Sequence, residues 1–191
     1  FPEYRSTSLR GPTKPLVALP QSLSEITGPV YGHDSIGPLD HDLTRNAAKN
    51  GEPLGERIIV SGRVMGEDGR PIPDTLVEVW QANAHGRYSH PRDRADDRPL
   101  DPNFQGYARL PTDQEGRYRF VTIVPGPYAA MGDWIRPPHI HYKVHAPFNP
   151  SMTTQMYFAG DPLNDKDRLL APLTPAQRAG LEVAFDAKGA D

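Results

Sequence analysis

Cysteine is absent from the 191 residues. No disulfide can brace this fold and no thiolate can hold a metal, so a metal centre here must be built from His, Tyr or carboxylate. Long apolar runs are missing too, and nothing reads as a membrane-spanning helix. No run of five or more basic residues occurs and the net charge is −3, which argues against nucleic acid as a partner. What the chain has in quantity is proline, with 22, and glycine, with 17. At this length one sizeable core can form, and the composition is that of a turn-rich globular protein, not a helical bundle.

Residues 1–56 show little periodicity and are punctuated by Pro2, Pro12, Pro15, Pro20, Pro29 and Pro38. They read as an extended arm around a core built later, with Leu16 to Leu19 docking part of it. The core domain, residues 57–191, begins at Arg57, where 57–64 is β-branched and partly alternating. Glu67 to Pro71 is a turn, and 75–81 is the next strand, with Leu76, Glu78 and Trp80 on one face. A polar loop runs from Ala82 to Pro102. Segments 105–109 and 116–123 flank Asp113-Gln114-Glu115-Gly116 and read as a hairpin. Two more strands fall at 139–146 and 153–158. Short strands at this spacing predict a mainly β protein, an antiparallel sandwich with long loops. One helix is predicted near the end, opened by Thr174 as N-cap, Pro175 and a Gln177 capping box, and carrying Leu181, Val183, Ala184 and Phe185.

Chemistry concentrates between Gly126 and His141. His139 and His141 are two apart, which on a strand puts both on one face, about 6.6 Å apart along it. Taken alone, such a pair is more often two half-buried histidines than a ligand pair. Tyr128 lies on a Gly-Pro turn upstream and Tyr88 in the polar loop. A tyrosine is ordinarily an apolar body whose hydroxyl finds one partner. Phenolate is a poor ligand for zinc or copper at neutral pH, because the phenol pKa is about 10. A ferric ion stabilises the anion and changes that balance. Two His and two Tyr would therefore point to non-haem Fe(III).

The sequence resembles the intradiol ring-cleaving dioxygenases, in the branch of iron-bearing β chains that act on protocatechuate. The resemblance runs over most of the chain: Pro20 to Glu25, Gly55 to Val64, Leu76 to Asn83, Gly86-Arg87-Tyr88, Leu100 to Phe104, Pro125 to Tyr128, Arg136-Pro137-Pro138-His139-Ile140-His141 and Gln155 to Phe158. It implies one non-haem Fe(III) per chain held by Tyr88, Tyr128, His139 and His141 with a solvent-derived hydroxide. Tyr88 and His139 would be equatorial, Tyr128 and His141 axial. The implied reaction is opening of a catechol by O₂, protocatechuate giving 3-carboxy-cis,cis-muconate, with the catechol bound as a dianion in place of Tyr128. Arg136 and Gln155 match catalytic residues, Arg136 stabilising developing negative charge on the substrate. Trp80 and Tyr4 match residues at the substrate pocket. The resemblance further implies a homologous α chain as partner, a cytoplasmic enzyme, and no nucleic acid or membrane contact.

This sequence departs from the family pattern between Tyr128 and Ile135. Ala130 stands where a tryptophan often lines the pocket, which opens the choice of ring substituent to other substituted catechols. No helical dimerisation segment precedes Arg57, which favours the protocatechuate branch. The final strand that such β chains carry after the last helix is not legible here. Outside the family, strand–turn–strand segments such as 62–64, 69–73 and 77–79 also suit a metal-free transthyretin-like binding module, which would leave the Tyr and His set unexplained. The non-catalytic partner chain of the same enzyme would lack that set. His145 shares a strand face with His141 and is a reserve ligand, while His33, His41, His85 and His90 read as loop histidines.

Overall fold

The computed structural model describes residues 36–186 except 92, 94–96 and 148. Two sheets make the sandwich. In one, β1 (Arg57–Arg63) pairs antiparallel with β4 (Arg117–Ile123). In the other, the strand order is β3 (Tyr107–Pro111), β2 (Leu76–Trp80), β7 (His139–His145), β8 (Met152–Phe158) and β9 (Glu182–Val183). A separate hairpin joins β5 (Tyr128–Met131) to β6 (Trp134–Arg136).

The core lies between the sheets because each strand alternates. Val60 and Phe120 from the smaller sheet are buried with Val77, Val79, Ala108, Leu110, Ile140, Tyr142 and Met156 from the larger. Leu43, inside the stretch read as an arm, is fully buried in the same core, and its neighbour Asp42 bridges to Val121 of β4. In β7 the core takes Ile140 and Tyr142, so His139, His141, Lys143 and His145 share the opposite face. Register then chooses their neighbours. Trp80 pairs with His141 across β2 and β7, while Gln155 pairs with His141 and Tyr157 with His139 across β7 and β8.

The structure departs from the sequence reading in three places. The 105–123 segment is not a hairpin: its turn forms, with Gly116 N donating to Asp113 O at 2.9 Å, but β3 pairs with β2 and β4 with β1. The reason is at Thr112, whose N donates to Thr75 O at 2.9 Å and whose Oγ1 accepts Thr75 N at 3.0 Å, which commits β3 to β2 before the chain crosses over. Second, the helix, α1 (Pro175–Ala179), keeps its Thr174–Gln177 capping box but ends at Gly180. Residues 182–183 become β9, which runs parallel to β8 and completes that edge, so the final strand exists and the larger sheet is not purely antiparallel. Third, Tyr128 begins a strand of the β5–β6 hairpin and is directly opposite Arg136.

Candidate metal centre

Two loops set Tyr88 and Tyr128 beside each other by backbone-to-backbone packing. Asn83 organises the first: its Oδ1 accepts from His85 N and Arg87 N at 2.9 and 3.0 Å, and its carbonyl accepts from Gly86 N and Gly126 N, both at 2.9 Å. A Cβ at Gly86 would fall on Pro127 O, and one at Gly126 on Ala84 O, so only glycine lets the loops meet. Tyr88 N then donates to Asp93 Oδ2 at 2.8 Å. The two phenol rings meet edge to face at 5.3 Å.

From the other side, β7 supplies the imidazoles. His139 Nε2 lies 3.1 Å from His141 Nε2 and 3.5 Å from Tyr128 Oη. His141 stacks flat on Trp80, rings 4.9 Å apart and 3° from parallel, with the Tyr88 ring 6.3 Å away. His139 Nδ1 sits 2.7 Å from Pro137 O and must donate to it, so the Nε2 of the neutral ring carries a lone pair. That lone pair accepts from Arg136 Nη1 at 3.1 Å.

The electrostatics keep both imidazoles neutral. Burial and the Arg136 charge bring His139 down to about 4, and burial, His139 and Arg136 bring His141 down to about 3. Tyr88 moves the other way: burial first, then Tyr128, push its phenol well above its ordinary value. Its Oη is buried without a well-formed hydrogen bond. Burial lowers the Arg136 pKa, but the hydrogen bond to Asp167 and the electrostatic effects of Tyr157, Asp167 and Tyr128 together outweigh it, so the net shift is upward. Arg136 is buried, with Nε on Asp167 Oδ2 at 3.0 Å and Nη2 on Gln155 Oε1 and Tyr157 Oη at 2.7 and 2.6 Å. Tyr157 also donates to Gln155 Oε1 at 2.6 Å, and burial pushes its phenol up to about 12.

Tyr88, Tyr128, His139, His141, Arg136, Gln155 and Trp80 are thus gathered at one end of the larger sheet. Tyr4 and His33 lie outside the described residues. His145 is taken by Glu78, Nε2 to Oε2 at 2.7 Å, and Tyr107 Oη donates to Glu78 Oε1 at 2.6 Å, so Glu78 is a paired carboxylate. A cavity of about 520 Å³ beside the centre is lined by Trp80, Tyr88, Tyr128, Ala129, Ala130 and the loop histidine His90, among others. Among the described residues, no group of three or more His, Asp or Glu could hold a metal, so a centre here needs the tyrosines. Sequence reasoning missed Asp167, Tyr157 and the organising role of Asn83. The pairing of β8 with β7 could have flagged Tyr157, two residues from Gln155 and on the same face.

A cysteine-free sandwich with two Tyr, two neutral His and a buried Arg at one sheet end belongs to a known class: the chain is a member of the intradiol ring-cleaving dioxygenases. The "Dioxygenase" family model matches residues 26–187, and the model "Protocatechuate 3,4-dioxygenase beta subunit N terminal" matches residues 1–22. Within the class it is similar to the protocatechuate 3,4-dioxygenase beta chain of Burkholderia cepacia, 54% identical over 96% of this chain and 79% of the relative. It is 37% identical to catechol 1,2-dioxygenase 2 of Acinetobacter lwoffii over 72% of this chain, but that match spans 51% of the relative's length. Among solved structures it is similar to the mercury-inhibited catechol 1,2-dioxygenase of Acinetobacter sp. ADP1, with a TM-score of 0.57 at 33% identity, over 72% of this chain and 46% of that one. The dioxygenase domain of a carbohydrate-binding fusion from Streptomyces sp. SirexAA-E gives 0.57 at 30% identity, over 78% and 79%. Membership of this class removes the transthyretin-like alternative. No helix among the described residues is long and apolar enough to cross a membrane.

Proposed function

We propose that the chain binds one Fe(III) through Tyr88, Tyr128, His139 and His141 and cleaves protocatechuate to 3-carboxy-cis,cis-muconate. The observation that carries the reading is the buried Tyr88 phenol, without a well-formed hydrogen bond, beside two neutral imidazoles. The neighbouring Tyr128 hydroxyl leaves that phenol poorly satisfied, and a cation would take it as phenolate. Two phenols and two imidazoles are a donor set for ferric iron. Bound there, ferric iron supplies a Lewis acid for the catecholate and a path for ring electrons towards O₂. In the net reaction the carbon–carbon bond between the two hydroxyl-bearing carbons breaks, and both atoms of O₂ enter the two new carboxyl groups.

The chain's own residues do the rest. Tyr128 Oη, next to His139, would take a proton from a substrate hydroxyl as the phenolate that a ferric ion stabilises. Tyr88, enclosed and tied to Asp93, remains in place. Arg136 Nη1 offers a fixed positive donor to negative charge growing on substrate oxygen, an effect worth several kcal/mol in a dry site. Gln155 holds Arg136 Nη2, and Trp80 fixes the plane of His141. Ala129 and Ala130 keep the neighbouring cavity wide, which suits a ring substituent. The similarity to a beta chain supports assembly with a homologous α chain. The test is turnover of a panel of 4-substituted catechols by the burgundy, iron-loaded enzyme, with muconate as product. A colourless iron-replete sample would defeat the reading.

A further inference from the structure

Arg136 reaches the candidate centre with one nitrogen. A guanidinium is a rigid plane, so anchoring Nε and Nη2 fixes where Nη1 points. Gln155 and Tyr157 hold the Nη2 end, and Asp167 Oδ2 holds Nε at 3.0 Å. Asp167 is itself fully buried. Its other oxygen, Oδ1, accepts from Leu169 N at 2.8 Å and Leu170 N at 3.1 Å, which locks the carboxylate plane to its own turn. One oxygen therefore fixes the carboxylate and the other aims at a guanidinium 31 residues earlier in the chain. The contact from Nη1 to His139 Nε2 cannot be the anchor, because a metal would use that same lone pair.

We propose that Asp167 is a positioning residue for ring cleavage: by holding Nε it directs Arg136 Nη1 to the edge of the centre where His139 and Tyr128 meet. It acts through Arg136, and none of its hydrogen bonds goes to the four metal-binding side chains. The proposal rests on the reading of the centre given above.

Asp167→Asn separates positioning from structural support. The amide keeps an oxygen for Leu169 and Leu170 but turns an NH₂ towards Arg136 Nε–H, donor against donor. In the full chain, purified with its partner, iron content and colour should match wild type. The kcat for protocatechuate should fall by about 10²-fold or more while KM changes little. A crystal structure should show the 163–171 backbone in place and Nη1 withdrawn from His139. Arg136→Leu combined with Asp167→Asn should be no slower than Arg136→Leu alone, since the carboxylate works only through the guanidinium. A kcat within about threefold of wild type, an unmoved Arg136, or losses that multiply would overturn the proposal. Should the Asn variant not fold, Asp167→Glu keeps the charge and alters the reach. The same kcat loss with full iron would support the proposal, and wild-type kcat would overturn it. A wild-type enzyme that holds iron and cleaves no catechol would defeat the functional reading instead, and the position of Arg136 in the variant crystal would still decide this one.

Discussion

Tyr88 and Tyr128 are bound to the protein in different ways. Tyr88 is enclosed and its backbone is tied to Asp93, whereas Tyr128 is followed by three exposed residues. Tyr88→Phe should therefore lower iron content and change the charge-transfer colour. Tyr128→Phe should keep iron and slow substrate binding and turnover by about 10²–10⁴-fold, the usual loss for a general base. Iron analysis and stopped-flow binding of the catechol separate the two, and the reverse pattern would exchange their roles. The histidines carry a pH signature in metal-free protein. In the unfolded chain they take protons near 6.5, but folded His139 and His141 resist until about 4 and about 3. Between those values the unfolded state binds more protons, so stability is full above 6.5 and falls as pH drops through the window. Thermal melts of chelated protein from about pH 7 to about pH 4 should show this decline, and a His139→Asn/His141→Asn variant should flatten it.

At the scale of elements, the centre depends on how closely two loops approach. Gly126→Ala would place a methyl on Ala84 O and within 2.6 Å of Gly86 N. Such overpacking typically costs about 1–3 kcal/mol. The loops carrying Tyr88 and Tyr128 should part, so iron per chain should fall more than the drop in Tm alone explains. Calorimetry beside iron analysis checks it, and full iron at normal Tm would refute it. Much of this was legible in the sequence. The alternation of β7 gave the shared face of His139 and His141, and the strand residues gave the sandwich. What stayed hidden depends on pairing between distant segments. Nothing local tells that Thr112 binds Thr75 and sends β4 to the other sheet, or that Asp167 reaches Arg136. Phe185 and Val183 continue an apolar helical pattern, yet Gly180 ends the helix and β8 offers an open edge that captures Glu182 and Val183.

Across the whole molecule, that captured edge supports the site from behind. Tyr157 N donates to Leu181 O at 2.8 Å and Ala159 N to Val183 O at 2.9 Å, while Phe185 stacks on Phe158 at 5.0 Å. Val183→Pro removes a ladder donor from β9 and should destabilise the protein by about 1–2 kcal/mol, within the usual range for single substitutions. In a domain of this size that is a Tm loss of roughly 2–8 °C, readable by calorimetry. An unchanged Tm would show that β9 contributes nothing to the sheet.

The chain has two tryptophans, and both lie at the border of the centre. Trp80 stacks on His141, and Trp134 lies 5.5 Å from the guanidinium carbons of both Arg136 and Arg168. Excited indoles lose energy to nearby quenchers, so the protein's tryptophan emission comes from two reporters at this end of the fold. Metal loading should dim Trp80, and any displacement of Arg136 should be read by Trp134. Replacing one indole at a time by phenylalanine would assign each signal, giving two built-in optical probes without an added dye.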